Sequence, residues 1–435
     1  MDTFGAVDGE RRANAHNLKL IRFLSAGSVD DGKSTLIGRL LFDSRAILRD
    51  QFRSLESAKH KRASEVGIDL AFLTDGLEAE REQGITIDVA YRYFSTDKVR
   101  FIMADCPGHR QYTRNMFTGA STADAAVLLV DATRVQNGLL LEQTKRHTAL
   151  LRLLNVGVLI VAINKMDATA YSERVYSEIL SAFESFRKRI GLLHVHYVPI
   201  SALKGDNVVE ASPRMPWYQG PSVLGLLEAV EPKGTLAAIA PTRFPVQLVI
   251  RLDQAGQGVT RVYAGQLESG QICIGQRIRV FPSGERATVI GLVSGGRQAR
   301  EIQPGQSAMI KLDRDIDAAR GDTIMDAADS VEGTQELSAE IVWLDAQAMN
   351  PSRRYRFRQA TREGIAKIEV IDRFNLISLA REPCLLLKQN EIGKCRLRLS
   401  SHFLPDLYSD LPDTGSFILI DETTHSTVAG GMTCV

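Results

Sequence analysis

Gly27-Ser28-Val29-Asp30-Asp31-Gly32-Lys33-Ser34 matches the spacing G-x-x-x-x-G-K-[ST] in full. The mostly apolar run Ile21 to Ala26 precedes it. Lys33 to Phe42 follows, with Leu36, Ile37, Leu40 and Leu41 at helical spacing. A strand before and a helix after are the context that makes this pattern a phosphate-binding loop. Its glycines let the backbone wrap closely, so that successive N–H groups face phosphate oxygens. The helix N-terminus, where Thr35 follows Ser34, adds its positive end. Lys33 is expected to neutralise β- and γ-phosphates, and the Ser34 hydroxyl to ligate magnesium.

Outward from this loop, strands and helices alternate. Val99 to Ala104 reads as a strand. Ala125 to Val130 is wholly apolar, as a central parallel strand buried on both faces should be, and Val156 to Ile163 repeats the pattern. Tyr171 to Ile190 carries Val175, Ile179, Phe183, Phe186 and Ile190 on one helical stripe, and Val195 to Ile200 reads as the last strand. The predicted architecture is an α/β P-loop domain with a doubly wound, mostly parallel sheet. Asp105-Cys106-Pro107-Gly108-His109 follows an apolar strand. There Asp105 would hold the magnesium through water, and the Gly108 N–H would meet the γ-phosphate. Within Arg81-Glu82-Gln83-Gly84-Ile85-Thr86-Ile87, Thr86 is the candidate switch residue that completes the metal shell when the γ-phosphate is present. His109 is the candidate that orients the attacking water.

Asn164-Lys165-Met166-Asp167 follows the strand Val156–Ile163. The Asp167 carboxylate can accept from the N1–H and 2-amino groups of guanine. Adenine offers neither donor in that arrangement, so the pattern selects GTP and GDP. Charge-assisted bonds make that selection steep. Asn164 would brace the loop, and the Lys165 stem would lie along the base. Ser201-Ala202-Leu203, after the last strand, would set a backbone N–H against guanine O6.

The chain has 435 residues, with 53 basic and 52 acidic side chains and a formal charge of +1. Hydrophobic content of 44% and charged content of 24% exclude a disordered or collagen-like chain. The neutral balance argues against nucleic acid as a general partner. The five cysteines form no Cys-x-x-Cys pair, and no apolar run is long enough for a membrane span. The N-terminus has no secretory core, so a cytoplasmic setting is expected. Residues 1–18 read as an extension and 19–232 as the P-loop domain. The stretch from Glu231 to Pro241 reads as a linker. Beyond it, short β runs separated by glycine turns predict a β-barrel over 241–332 and a second over 335–435.

With these residues in place, the chain resembles translational GTPases of the elongation factor Tu type from Leu20 to Val435. Within them it is most similar to the GTPase subunits of bacterial ATP sulfurylase. The deciding stretches are 27–41, Asp75-Gly76-Leu77, 80–94 and 111–116. They continue in Arg214-Met215-Pro216-Trp217-Tyr218, Arg243-Phe244-Pro245-Val246-Gln247, Arg320-Gly321-Asp322 and 414–418. Asp31 stands where elongation factors carry histidine. The resemblance implies a heterodimer in which a small companion, the adenylyltransferase catalytic subunit, binds ATP and sulfate. That companion makes adenosine 5′-phosphosulfate and pyrophosphate, while the present chain hydrolyses GTP to drive the step. The adenylyl-transfer residues would then lie on the partner.

Four places depart from that family. Cys106 replaces threonine, and Arg110 replaces glutamate. The loop 131–139 is longer, and Asp410-Leu411-Pro412-Asp413 stands where asparagine and arginine are usual. The chain carries no second P-loop, so a fused kinase for the product is not expected. Two alternatives stand beside the sulfurylase reading. One is an elongation-factor-like carrier that binds RNA. The other is a specialised paralogue serving a different sulfur-activating partner.

Overall fold

The computed structural model describes residues 18–44, 88–108, 113–135, 140–192, 194–232, 237–254, 258–375 and 378–435. The chain divides into two compact units, 1–232 and 233–435.

The first unit is built on a six-stranded sheet. Its strands are β1 (Lys19–Ala26), β2 (Ala90–Ser95), β3 (Val99–Asp105), β4 (Ala125–Asp131), β5 (Val158–Asn164) and β6 (Val195–Pro199). The order across the sheet is β2-β3-β1-β4-β5-β6. All neighbours pair in parallel except β2, which pairs antiparallel with β3. A tight turn makes that exception, with the Thr96 N–H donating to Val99 O at 2.9 Å. The edge strand is anchored by Phe94, whose ring stacks on Phe101 at 4.8 Å and meets Phe23 edge-on at 6.2 Å. Such aromatic pairs contribute about 0.5–1.5 kcal/mol beyond area burial. The all-apolar runs place β4 and β5 at the centre, where every residue of β4 is buried.

Among the described residues, five helices flank the sheet: α1 (Lys33–Asp43), α2 (Thr113–Ser121), α3 (Glu142–Leu153), α4 (Glu173–Ile190) and α5 (Val223–Ala229). The expected helix start at Tyr171 moves to Glu173. Ala170 and Tyr171 adopt φ of 52° and 57°, outside helical geometry. Ser172 then caps the helix, its Oγ accepting from the Val175 N–H at 3.5 Å. The stripe of Ile179, Phe183, Phe186 and Ile190 is buried, and Gly191 at φ 69° ends the helix. Among the described residues, no helix is long and apolar enough to cross a membrane.

The second unit holds two six-stranded antiparallel barrels. The first runs Phe244–Gln254, Gly258–Gln266, Ser307–Leu312, Arg286–Ser294, Arg277–Phe281 and Thr323–Asp326, which pairs back to the first strand. The second runs Tyr355–Gln359, Ser416–Asp421, Thr427–Thr433, Thr334–Trp343, Ile392–Phe403 and Arg362–Asn375, again closed on itself. Closure gives each strand of either ring a paired neighbour on both sides. The barrels are joined by Arg243, buried to 2% exposure, which donates from Nε and Nη2 to both Asp406 oxygens at 2.8 and 2.9 Å. Its Nη1 reaches Asp329 at 2.6 Å, and Thr414 Oγ1 donates to Asp406 at 2.7 Å. Every charge in the cluster therefore has a partner, which a buried ion network requires.

Candidate functional site

The parallel register levels the carboxyl ends of the strands, and the candidate loops leave from those ends. Ser25 lies opposite Asp105 on β1 and β3, and Asp131 lies opposite Asn164 on β4 and β5. Strand order reverses direction at β1, which has β3 on one side and β4 on the other. A crevice at such a switch point is where α/β sheets take ligands.

Positive φ angles shape the loop Gly27–Ser34: 152° at Gly27, 66° at Asp30 and 94° at Gly32. At Gly32 a Cβ would also sit 2.4 Å from Asn164 Nδ2, so only glycine fits. The changes of hand turn successive N–H groups to one side and make an anion cradle at the start of α1. Lys33 is buried there. Its ammonium donates to Gly27 O at 3.1 Å and Ser28 O at 2.8 Å. Burial lowers its pKa, countered by Asp105 and Asp31. An ammonium so removed from water gains strongly from an anionic neighbour.

Asp105 ends β3 as a buried carboxylate, with Ser25 Oγ donating to its Oδ1 at 2.9 Å. The chain after it runs hard against the phosphate loop. A Cβ on Gly108 would meet Lys33 Nζ at 2.5 Å and Gly27 O at 2.6 Å. Cys106 is buried against α2, where a Cβ on Gly119 would approach its Sγ to 2.7 Å. Burial pushes that thiol well up, so it is a small packing group and not a thiolate. Ser34 is half-buried on the first turn of α1. A serine hydroxyl and a buried carboxylate are the hard oxygen donors that magnesium takes, so the residues present fit that ion. Thr86, His109 and Arg110 lie outside the described residues.

Asn164, 2% exposed, ties three loops together. Its Nδ2 donates to Asp31 O at 2.8 Å, its Oδ1 accepts from the Ala202 N–H at 2.9 Å, and its carbonyl accepts from the Ala132 N–H at 2.9 Å. Lys165, at φ 64°, puts Nζ 2.7 Å from Asp131 Oδ2. Burial alone would raise the Asp131 pKa, but Lys165 and the Thr133 N–H and hydroxyl, at 2.8 and 2.6 Å, hold it below the usual range. Met166 is buried beneath a 3-10 turn that presents Asp167 half-exposed. Among the described residues no donor reaches the Asp167 carboxylate. Ser201 is buried and bridges to Asp206 through the backbone. Arg39 of α1 donates to Ala202 O at 3.3 Å and Leu203 O at 2.5 Å.

Four site neighbours escaped the sequence reading: Asp131, Arg134, His147 and Asp206. His147 lies buried on α3, and burial, with Lys33 and Arg146 adding to it, pushes its pKa down to about 3. Asp206 accepts from Tyr171 OH at 2.9 Å, Ser212 Oγ at 2.7 Å and Arg214 Nη1 at 3.0 and 3.1 Å. Trp217 Nε1 donates to Tyr171 O at 3.1 Å. The 214–218 stretch thus fixes the loops that follow β5 and β6. A buried asparagine after a strand and a lysine in left-handed geometry carry no sequence signal for these partners.

The family model for the elongation factor Tu GTP binding domain matches residues 18–245, and that for the GTP-eEF1A C-terminal domain matches residues 336–434. Sulfate adenylyltransferase subunit 1 of Aeromonas hydrophila subsp. hydrophila is 46% identical over 428 residues, covering 98% of this chain and 88% of that protein. The protein of the same name from Vibrio vulnificus strain YJ016 is 44% identical over 96% of this chain and 87% of its own length. Among solved structures, Sup35 complexed with GDP covers 97% of this chain and 95% of that one at a TM-score of 0.42 and 22% identity.

Proposed function

The chain belongs to the sulfate adenylyltransferase subunit 1 family, and from that premise we propose that it is the GTP-hydrolysing regulatory subunit of a sulfate adenylyltransferase. It would act in the cytoplasm with a separate catalytic subunit that binds ATP and sulfate. That subunit would form adenosine 5′-phosphosulfate and pyrophosphate. None of the relatives quoted above favours the RNA-carrier alternative. The observation that carries the reading is the meeting of Lys33, Asp105, Gly108, Asn164 and Ala202 at one crevice of a sheet, in a chain aligned with those bacterial subunits over nearly its whole length.

Each described residue has a role its setting supports, while Thr86 and His109 take theirs from the sequence pattern. Lys33 binds the β- and γ-phosphates, and the N–H groups of residues 30 and 32–35 face the α- and β-phosphates. Ser34 and, through water, Asp105 would hold magnesium, with Thr86 as the third contributor. That ion, when bound, neutralises charge on the phosphate oxygens. Gly108 offers its N–H beside the γ-phosphate, and His109 orients the attacking water. Asp167 accepts from guanine, Ala202 donates to its O6, and Asn164 holds both loops in place.

The coupling has a physical rationale. The phosphosulfate anhydride is a high-energy bond, so forming it from ATP runs uphill. A segment ordered by the γ-phosphate and released on hydrolysis can tie that step to a downhill one. The test replaces GTP by a non-hydrolysable analogue in the purified two-subunit complex. Product formation should fall to the level without nucleotide. Formation at the full GTP-driven yield would refute energy coupling.

A further inference from the structure

Arg134 stands in the loop after β4, beside the phosphate-binding loop. Its Nη1 donates to Val29 O at 2.9 Å and lies 3.8 Å from Asp31 Oδ1. Asp31 has no exposed side-chain surface, while Arg134 is 44% exposed. Hydrogen bonds satisfy only half of the Asp31 carboxylate. Its Oδ2 accepts the Ser28 N–H at 2.6 Å, and its Oδ1 accepts no hydrogen bond at all. The other charges acting on it are Lys33, which attracts, and Asp131, which repels but is itself paired with Lys165. A buried carboxylate in that position needs a cation on its open side.

We infer that Arg134 is a positioning residue for the phosphate loop, holding Val29 and Asp31 so that the loop's N–H groups face the nucleotide. The peptide plane supplies the mechanism. In a trans peptide the C=O and the following N–H point in opposite directions. With Val29 O held by the guanidinium, the Asp30 N–H must point the other way. Asp30 adopts φ 66°, a costly geometry for a residue with a side chain, and such geometry persists only where its surroundings over-determine it. Arg134 and the Asp31–Ser28 bond supply that constraint from two sides. The same short segment carries Asp131, the partner of Lys165. One loop thus steadies both the phosphate cradle and the base-recognition loop.

The inference rests on guanine-nucleotide binding as proposed above. The test follows release of fluorescent GDP from the full chain. Arg134→Ala should release GDP about three- to tenfold faster, the loss of one partly exposed hydrogen bond from a charged donor. Arg134→Lys, which keeps the charge and one donor, should recover part of the difference. The preference for GDP over ADP in competition should stay unchanged, because the guanine contacts are untouched. That pattern separates positioning from general destabilisation, which would weaken base selection as well. Release from Arg134→Ala at the wild-type rate would overturn the inference. So would a lysine variant no better than alanine. Where the alanine variant does not fold, the lysine variant carries the test by its own release rate, and a wild-type rate with wild-type base selection and no change on raising salt would overturn the inference. If the wild-type chain itself bound no fluorescent GDP, the nucleotide reading would fall first, and the role of Arg134 with it.

Discussion

Replacing Asn164 by alanine is the sharpest perturbation of the candidate site, because one side chain bridges two loops. The change removes the bond from Nδ2 to Asp31 O and the bond from the Ala202 N–H to Oδ1. Both are buried, and Ala202 itself is 1% exposed. Each lost bond contributes about 1 kcal/mol net, and the Ala202 N–H left without an acceptor costs about 1–3 kcal/mol more. The total is about 3–5 kcal/mol, or roughly 150- to 5000-fold in an equilibrium constant. Part should show in urea unfolding of the free protein and the rest in affinity for fluorescent GDP. A second substitution isolates the cause. The Cβ of Gly32→Ala would collide with Asn164 Nδ2 at 2.4 Å. In the Asn164→Ala background that collision is gone, and only the strain of φ 94° remains. Gly32→Ala should therefore cost less in the double variant than alone. A summed loss below about 1 kcal/mol for Asn164→Ala, or strictly additive effects in the cycle, would refute this account of the bridge.

Two further expectations concern other parts of the chain. Asp167→Asn should move preference from guanine to xanthine nucleotides, since xanthine replaces the 2-amino donor with an acceptor. A competition assay that still showed GTP preferred would contradict the assignment. Burial, with Asp413 adding to it, raises the Glu268 pKa to about 7. A carboxyl with a folded pKa above its unfolded value near 4.5 destabilises the fold as pH rises from about 5 to 7 and beyond. Glu268→Gln should accordingly raise Tm at pH 8 and leave it nearly unchanged at pH 4.5. An equal shift at both values would contradict burial as the cause.

The phosphate loop was legible because its chemistry dictates residue types at fixed spacing. Glycine must stand where φ is positive at 27 and 32, and lysine must start the helix. The central strands were legible from uninterrupted apolar runs. Elements set by tertiary contact were not. Tyr91-Arg92-Tyr93-Phe94 forms an edge strand because Phe94 stacks on Phe101, and nothing local states that pairing. In the barrels, Arg286–Ser294 carries a register shift between Val289 and Gly291. Thr427–Thr433 carries Gly430-Gly431, where a Cβ at 431 would strike the Phe417 ring at 2.2 Å. Gly431 is there a strand position crowded by an aromatic neighbour. At the candidate site, Asn164 was identified as a brace, but its bond to Asp31 O crosses 133 positions. Arg134 likewise reaches back 105 positions to Val29. Contacts at such separations follow from the sheet register, which no local pattern encodes.

The most direct measurement is a two-way coupling assay on the complex of this chain with its companion subunit. GTP hydrolysis and sulfate-dependent pyrophosphate release from ATP are followed together while one substrate at a time is withheld. Energy coupling predicts that GTP turnover rises when ATP and sulfate are both present, and that product yield exceeds the GTP-free equilibrium only while GTP is being hydrolysed. GTP turnover indifferent to ATP and sulfate, with product yield indifferent to GTP, would contradict it.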